Sequence, residues 1–241
     1  MSVAQVTTPI RPSTAATGGT IIVKVGPMAK EYILYKSLLS HYSGFFRGAL
    51  SGKFRETSDG FITLVDIKTA DFDIFVDWLY LQRLDKRFLH TVRRYHVYAL
   101  ADRLLAPDLK NSLFDLIFEK VEADYPSYMM IIFAFENLPE DDVLLQLLVD
   151  AQCINRGIER KMGDIDKLYF PDLPKEFLLR VMQKLNEIAN KDKEDGRDNG
   201  KKRLRRDDYV VHISDIKEDM DEVESNTDSG IADSWNPDSC W

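Results

Sequence analysis

The chain has 241 residues, 44% of them hydrophobic and 30% charged, enough for one domain-sized core with a smaller extension. Its longest apolar runs, Met129 to Phe135 and Val143 to Val149, fall far short of the about 20 residues of a membrane-spanning helix, and the first twenty residues have neither the basic nor the apolar region of a secretory signal. The formal net charge of −8 is unevenly placed: residues 207–241 hold eleven acids against Lys217, a balance of −10, which leaves residues 1–206 at +2. Bulk charge therefore implies neither nucleic acid nor an acidic substrate as partner.

Residues 1–19, rich in Thr, Pro, Ser and Gly, are expected to be disordered. Thr20 to Val25 is β-branched and apolar, and with Tyr32 to Tyr35 it predicts a hairpin turning at Gly26-Pro27. Ser37 and Ser43 are the expected caps of two short helices, because a hydroxyl can accept the orphan N–H bonds of a first turn. Gly52 and residues 58–60 then separate these helices from a strand over Phe61 to Val65. Phe72, Phe75, Val76, Leu79 and Tyr80 fall at helical spacing with Ile74 and Trp78 on another face, which predicts a helix at the centre of the domain. Val97, Leu100, Ala101 and Leu104 repeat the spacing, as do Leu109, Leu113, Leu116 and Ile117.

Several short motifs occur in a fixed order. They are the step Ile33, Leu34, Tyr35, Lys36; the run Leu38, Leu39, Ser40; Ser43, Phe45 and Phe46; the corner Phe54, Arg55, Glu56; and the strand Phe61, Ile62, Thr63, Leu64. This stretch resembles a BTB/POZ domain, with Tyr35 standing where the family usually has His. The segment Leu89 to Ile117 is similar to the helical pair that closes such domains, "Y-x-L-A-D-x-L … L-K", so the resemblance spans about residues 20–120. The family's "Y-T-G" after the central helix reads Tyr80-Leu81-Gln82 here, and no Asp precedes the first strand.

The resemblance implies an α+β fold, a small sheet with a cluster of helices, and a role in holding proteins together. In BTB adaptors of cullin-type ubiquitin ligases, a hydrophobic-x-Glu corner meets the scaffold, and Phe54, Arg55 and Glu56 stand at that position. The same residues admit a plainer role, with Phe54 closing the end of the preceding helix and Glu56 bonded locally. Homodimerisation stays open.

Pro126 and Pro139 each precede an apolar helical run, where a missing N–H costs nothing. Leu144, Leu147, Leu148 and Ala151 form one stripe and Leu178, Val181, Met182 and Leu185 another. Residues 121–190 are thus expected to be a helical extension, of the kind fungal BTB proteins often carry. Residues 191–241 turn basic and then acidic with too few apolar side chains to offset ordering, so a mostly disordered tail is expected.

Within that tail Lys201, Lys202, Arg203, Arg205 and Arg206 form a basic cluster suited to nuclear import or to loose charge pairing. Ser229 and Ser234 sit in an acidic context similar to a phosphodegron. Cys153 and Cys240 make no disulfide framework, which fits a reducing compartment, nucleus or cytoplasm. His41, His90, His96 and His212 are scattered, and phosphate-cradling, nucleophile-elbow and zinc spacings are absent. The sequence therefore predicts no catalytic residue, no metal, no cofactor, no small-molecule substrate, no membrane contact and no sequence-specific nucleic-acid binding. It points to an interaction module, either an adaptor binding a cullin scaffold or another BTB chain, or a self-associating nuclear regulator with no role in ubiquitin transfer.

Overall fold

In a computed structural model of the chain, the described residues are 10–51, 60–154, 164–195 and 204–209. Strands β1 (Thr20–Val25) and β2 (Lys30–Tyr35) form the expected hairpin. Gly26, at φ 75°, supplies the left-handed turn and donates its N–H to Leu64 at 2.9 Å. Strand β3 (Phe61–Leu64) returns parallel to β1, so the sheet order is β2-β1-β3. Side chains alternate across a strand: Ile21, Val23 and Val25 of β1, Leu34 of β2, and Ile62 and Leu64 of β3 turn into the core.

Between β2 and β3 run α2 (Lys36–Tyr42) and α3 (Gly44–Ala49). Ser43 caps α3 as expected, accepting from Phe46 N–H at 3.2 Å. Ser37 does not cap α2. It lies inside the first turn, and its hydroxyl donates instead to the Ala15 carbonyl at 2.8 Å, tying down a short helix α1 (Pro12–Ala16). That helix, with Ala15 fully buried, falls within a stretch whose composition suggests disorder.

Helix α4 (Thr69–Leu81) occupies the centre, with Phe72, Phe75, Trp78 and Leu79 buried. It ends in Gln82, which adopts the left-handed conformation at φ 51°. A glycine reaches that conformation freely; here the Gln82 amide donates to the Trp78 and Leu79 carbonyls at 3.2 and 3.1 Å and holds it. Helices α5 (Thr91–Arg103) and α6 (Pro107–Ala123) close the domain. Their junction is a Schellman turn, with Ala106 N–H on Ala101 O at 2.8 Å, Leu105 N–H on Asp102 O at 2.9 Å, and Leu105 at φ 49°.

Beyond α6 come α7 (Tyr128–Asn137), α8 (Val143–Ile154), the short α9 (Asp164–Tyr169) and α10 (Lys175–Asp195). The α8 stripe of Leu144, Leu147, Leu148 and Ala151 is buried as read. The α10 stripe is rotated from the expected one: Phe177 is buried, Val181, Leu185 and Ile188 are half-buried, and Leu178 and Met182 face outward, Met182 63% exposed. Three consecutive apolar residues, Phe177 to Leu179, sit about 100° apart around a helix, so spacing alone does not choose among them. All of these elements share one core and belong to one compact unit, Thr7–Val210. No helix among the described residues is long and apolar enough to cross a membrane.

Two parts of the stretch whose composition suggests disorder are folded. Helix α10 continues to Asp195, and Leu204 and Tyr209 are buried. The Tyr209 hydroxyl donates to Asp150 at 2.8 Å, its ring lies 6.1 Å from both Phe114 and Phe118, and Arg206 stacks on Phe114 while pairing with Asp115 at 2.6 Å. Leu204 and Tyr209 flank four charges, and that dense charge hides them in a composition profile.

Candidate partner-binding surface

The corner residues Phe54, Arg55 and Glu56 lie outside the described residues, as do Lys201, Lys202, Arg203, Ser229 and Ser234. The two elements that flank the corner are described, and both are firmly held. The Ser43 hydroxyl is fully buried and donates to Leu104 O at 2.5 Å, while Gly44 N–H donates to Leu105 O at 2.9 Å. A side chain at Gly44 would meet Leu105 Cβ at 2.9 Å, so only glycine lets α3 approach the α5–α6 turn this closely. Phe46 is buried and stacked on Phe75 at 6.1 Å, and Arg47 donates to the Ser40 and His41 carbonyls. On the far side, β3 is locked by its ladder to β1.

Of the basic cluster, Arg205 and Arg206 are described. The Arg205 side chain is 71% exposed, whereas Arg206 is engaged with Asp115, Phe114 and the Tyr209 carbonyl. The two neighbours therefore present different faces to a partner.

The extension is joined to the rest through buried charge. Asp142 caps α8 by accepting from Leu144 N–H at 2.8 Å, and it also accepts from the Tyr98 hydroxyl at 2.9 Å and from Lys110 at 2.6 Å. Lys110 reaches Asp102 as well, at 2.5 Å. Burial works against the Lys110 ammonium, but Asp142 and Asp102 outweigh it and hold its pKa above the ordinary lysine value. Burial, with Asp142 alongside, pushes the Tyr98 hydroxyl up. Such satisfied networks position elements more than they add net stability.

His96 of α5 lies stacked flat on Phe133 of α7 at 4.3 Å, with Asp71 Oδ2 at 3.7 Å and Lys68 Nζ at 3.4 Å. Burial lowers its pKa, with Lys68 and Arg93 adding to the effect and Asp71 opposing it. Among the described residues no group of three or more His, Cys, Asp or Glu side chains is placed to hold a metal ion.

Sequence reading also passed over the outer face of the sheet. Ile22 of β1 stands opposite Ile33 of β2 and beside Phe61 of β3, making one apolar row across all three strands. Ile33 is 70% and Phe61 37% exposed. The signal was the alternation of β2, which puts Glu31, Ile33 and Tyr35 on one face.

A BTB/POZ domain model matches residues 19–120 of the chain. This chain carries a BTB/POZ domain. Among solved structures, the chain is similar to the BTB domain of human gigaxonin, at 20% identity over 43% of this chain and 81% of that one, with a TM-score of 0.36. No curated protein matches it. The matched span contains the sheet, α2 to α5 and most of α6, and it encloses the 54–56 corner. The BTB/POZ domain is a protein-interaction module, and in this chain the start of α8 is tied to it by the Tyr98, Lys110 and Asp142 network.

Proposed function

We propose that this BTB/POZ chain is a non-enzymatic substrate adaptor of a cullin-type ubiquitin ligase. In this reading Phe54 and Glu56, with Arg55 between them, contact the scaffold, and the helical extension or the tail selects a client. The observation that carries the reading is the hydrophobic-x-Glu corner inside the span matched by the BTB/POZ model, between α3 and β3. An aromatic anchor of this kind, buried by a partner, is typically worth about 2 kcal/mol or more.

Co-elution of the full chain with a cullin tests the proposal. Phe54→Ala or Glu56→Lys is expected to abolish co-elution with the melting temperature unchanged; co-elution that survives both changes rejects the corner as the site.

A second reading, a self-associating nuclear regulator outside ubiquitin transfer, draws on the exposed Arg205 of the basic cluster. It predicts no co-elution with a cullin. It also predicts that a tagged copy leaves the nucleus when Lys201, Lys202, Arg203, Arg205 and Arg206 are replaced by Ala. An unchanged distribution sinks this reading.

A further inference from the structure

The segment Leu204–Tyr209 carries the last two members of the basic cluster, Arg205 and Arg206, and is itself folded against the domain. Leu204 and Tyr209 are buried, while Arg205, Asp207 and Asp208 face outward. Arg206–Asp208 form a single 3-10 turn, so the chain is not extended there. Arg206 lies on the inner side of that turn. Its Nε donates to Asp115 and its Nη1 to the Tyr209 carbonyl, each at 2.6 Å, and its guanidinium lies 4.5 Å from the Phe114 ring centre. Three contacts therefore occupy one cation of the cluster and leave its neighbour Arg205 outside.

The hold is of a kind that can open. Asp150, which accepts from the Tyr209 hydroxyl, also pairs with Lys184 at 2.9 Å and accepts from Gln146 at 3.0 Å. The Asp115 side chain is 57% exposed and reaches water. Neither carboxylate is stranded when the segment lifts away, and a polar group that keeps a partner escapes the desolvation penalty of an unmade bond. Opening costs mainly the apolar burial of Leu204 and Tyr209.

We propose that docking of Leu204–Tyr209 masks the basic cluster, so that a nuclear import receptor captures only the undocked chain. A receptor that takes a basic cluster from an extended chain meets each charge separately. In the docked form it would meet Arg205 but not Arg206, on a backbone anchored at Leu204, directly after Arg203. Docking and capture therefore compete, and the apparent affinity falls in proportion to the undocked fraction. The contacts of Arg206 and Tyr209 thereby set how readily the chain is imported. Masking presupposes the import reading of the cluster and uses the geometry of residues 204–209 alone.

Fluorescence anisotropy tests it, with a purified import receptor that reads basic clusters, a labelled basic import peptide, and competitors that displace the label. A synthetic peptide of residues 200–208 is expected to compete at least about ten-fold better than the native full chain. Tyr209→Ala and Asp115→Lys both lie outside the cluster, the first removing the anchor and the second repelling Arg206, and each should improve competition by the full chain several-fold. Asp115 is exposed, so that variant keeps the native unfolding midpoint. Asp77→Lys, which adds the same charge at an exposed position of α4, should compete like the native chain. Two variants that compete no better than the native chain, or no better than Asp77→Lys, overturn the mask and leave the import reading standing. A peptide that does not compete at all removes the import reading, and the mask with it.

Discussion

Lys110 of α6 and Asp142, the cap of α8, are joined at 2.6 Å with the Asp142 side chain only 1% exposed. One carboxylate thus caps a helix of the extension and pairs with a cation of the BTB/POZ domain, so parting the two leaves Lys110 with Asp102 alone and the start of α8 without its cap. Removing one partner of a buried pair costs about 3–5 kcal/mol. Asp142→Ala is expected to destabilise the chain by that amount in urea titration followed by circular dichroism. The native chain should unfold in one transition, and two transitions in the native chain would refute the coupling.

The contact between Gly44 and Leu105 predicts a compensating pair. Gly44→Ala places a methyl group against the Leu105 side chain, and overpacking of this kind costs about 1–3 kcal/mol. Leu105→Gly removes the obstructing atoms and relaxes a left-handed backbone position. The double variant should recover most of the loss, a coupling that denaturant midpoints of all four chains would reveal; additive losses would rule out the steric account.

His96 should make stability fall on acidification. Its folded pKa is lowered by burial and by Lys68 and Arg93, so the unfolded chain binds the proton more readily. Stability is then intact above the unfolded value near 6.5 and declines as pH drops through it, levelling off below the folded value. His96→Phe, which keeps a ring against Phe133, is expected to flatten this part of the profile in urea midpoints measured between pH 7.5 and pH 5.5. An unchanged slope would show that the titration lies elsewhere.

Tyr209 fixes the segment Leu204–Tyr209 to α6 and α8, and the geometry ranks its parts. Tyr209→Phe keeps the rings of Phe114 and Phe118 covered and loses the bond to Asp150, which still has Lys184 at 2.9 Å; the cost is about 1 kcal/mol. Tyr209→Ala loses the packing too. Limited trypsin digestion should cleave at Arg205 and Arg206 several-fold faster in the alanine variant and at nearly the native rate in the phenylalanine one. Equal rates in all three chains would mean that the tyrosine does not hold the segment.

Much of the domain could be read from residue order because its signals are local. The β-branched apolar run of β1, the Gly26 turn, the Ser43 cap and the spacing of Phe72, Phe75 and Leu79 each lie within a few residues. What escaped was long-range. Asp142 sits in a run of acids, Glu140-Asp141-Asp142, and nothing nearby says which of the three turns inward to meet Tyr98 and Lys110. Ser37 had the chemistry of a cap but found the Ala15 carbonyl, 22 positions earlier. The sheet strip spans strands some forty positions apart, so its continuity emerges only from the register. For the 54–56 corner, order along the chain supplied the whole case, because those residues lie outside the described structure.

The docking of Tyr209 beside Asp150 also says where the chain can be shortened. Cutting at residue 190, where the composition changes, would strip the aromatic cover from Phe114 and Phe118 and take away Arg206, the partner of Asp115. Such a fragment would display a sticky bare patch foreign to the intact protein. Binding partners recovered with it would report the cut surface, so interaction screens with this protein should retain at least residues 10–209.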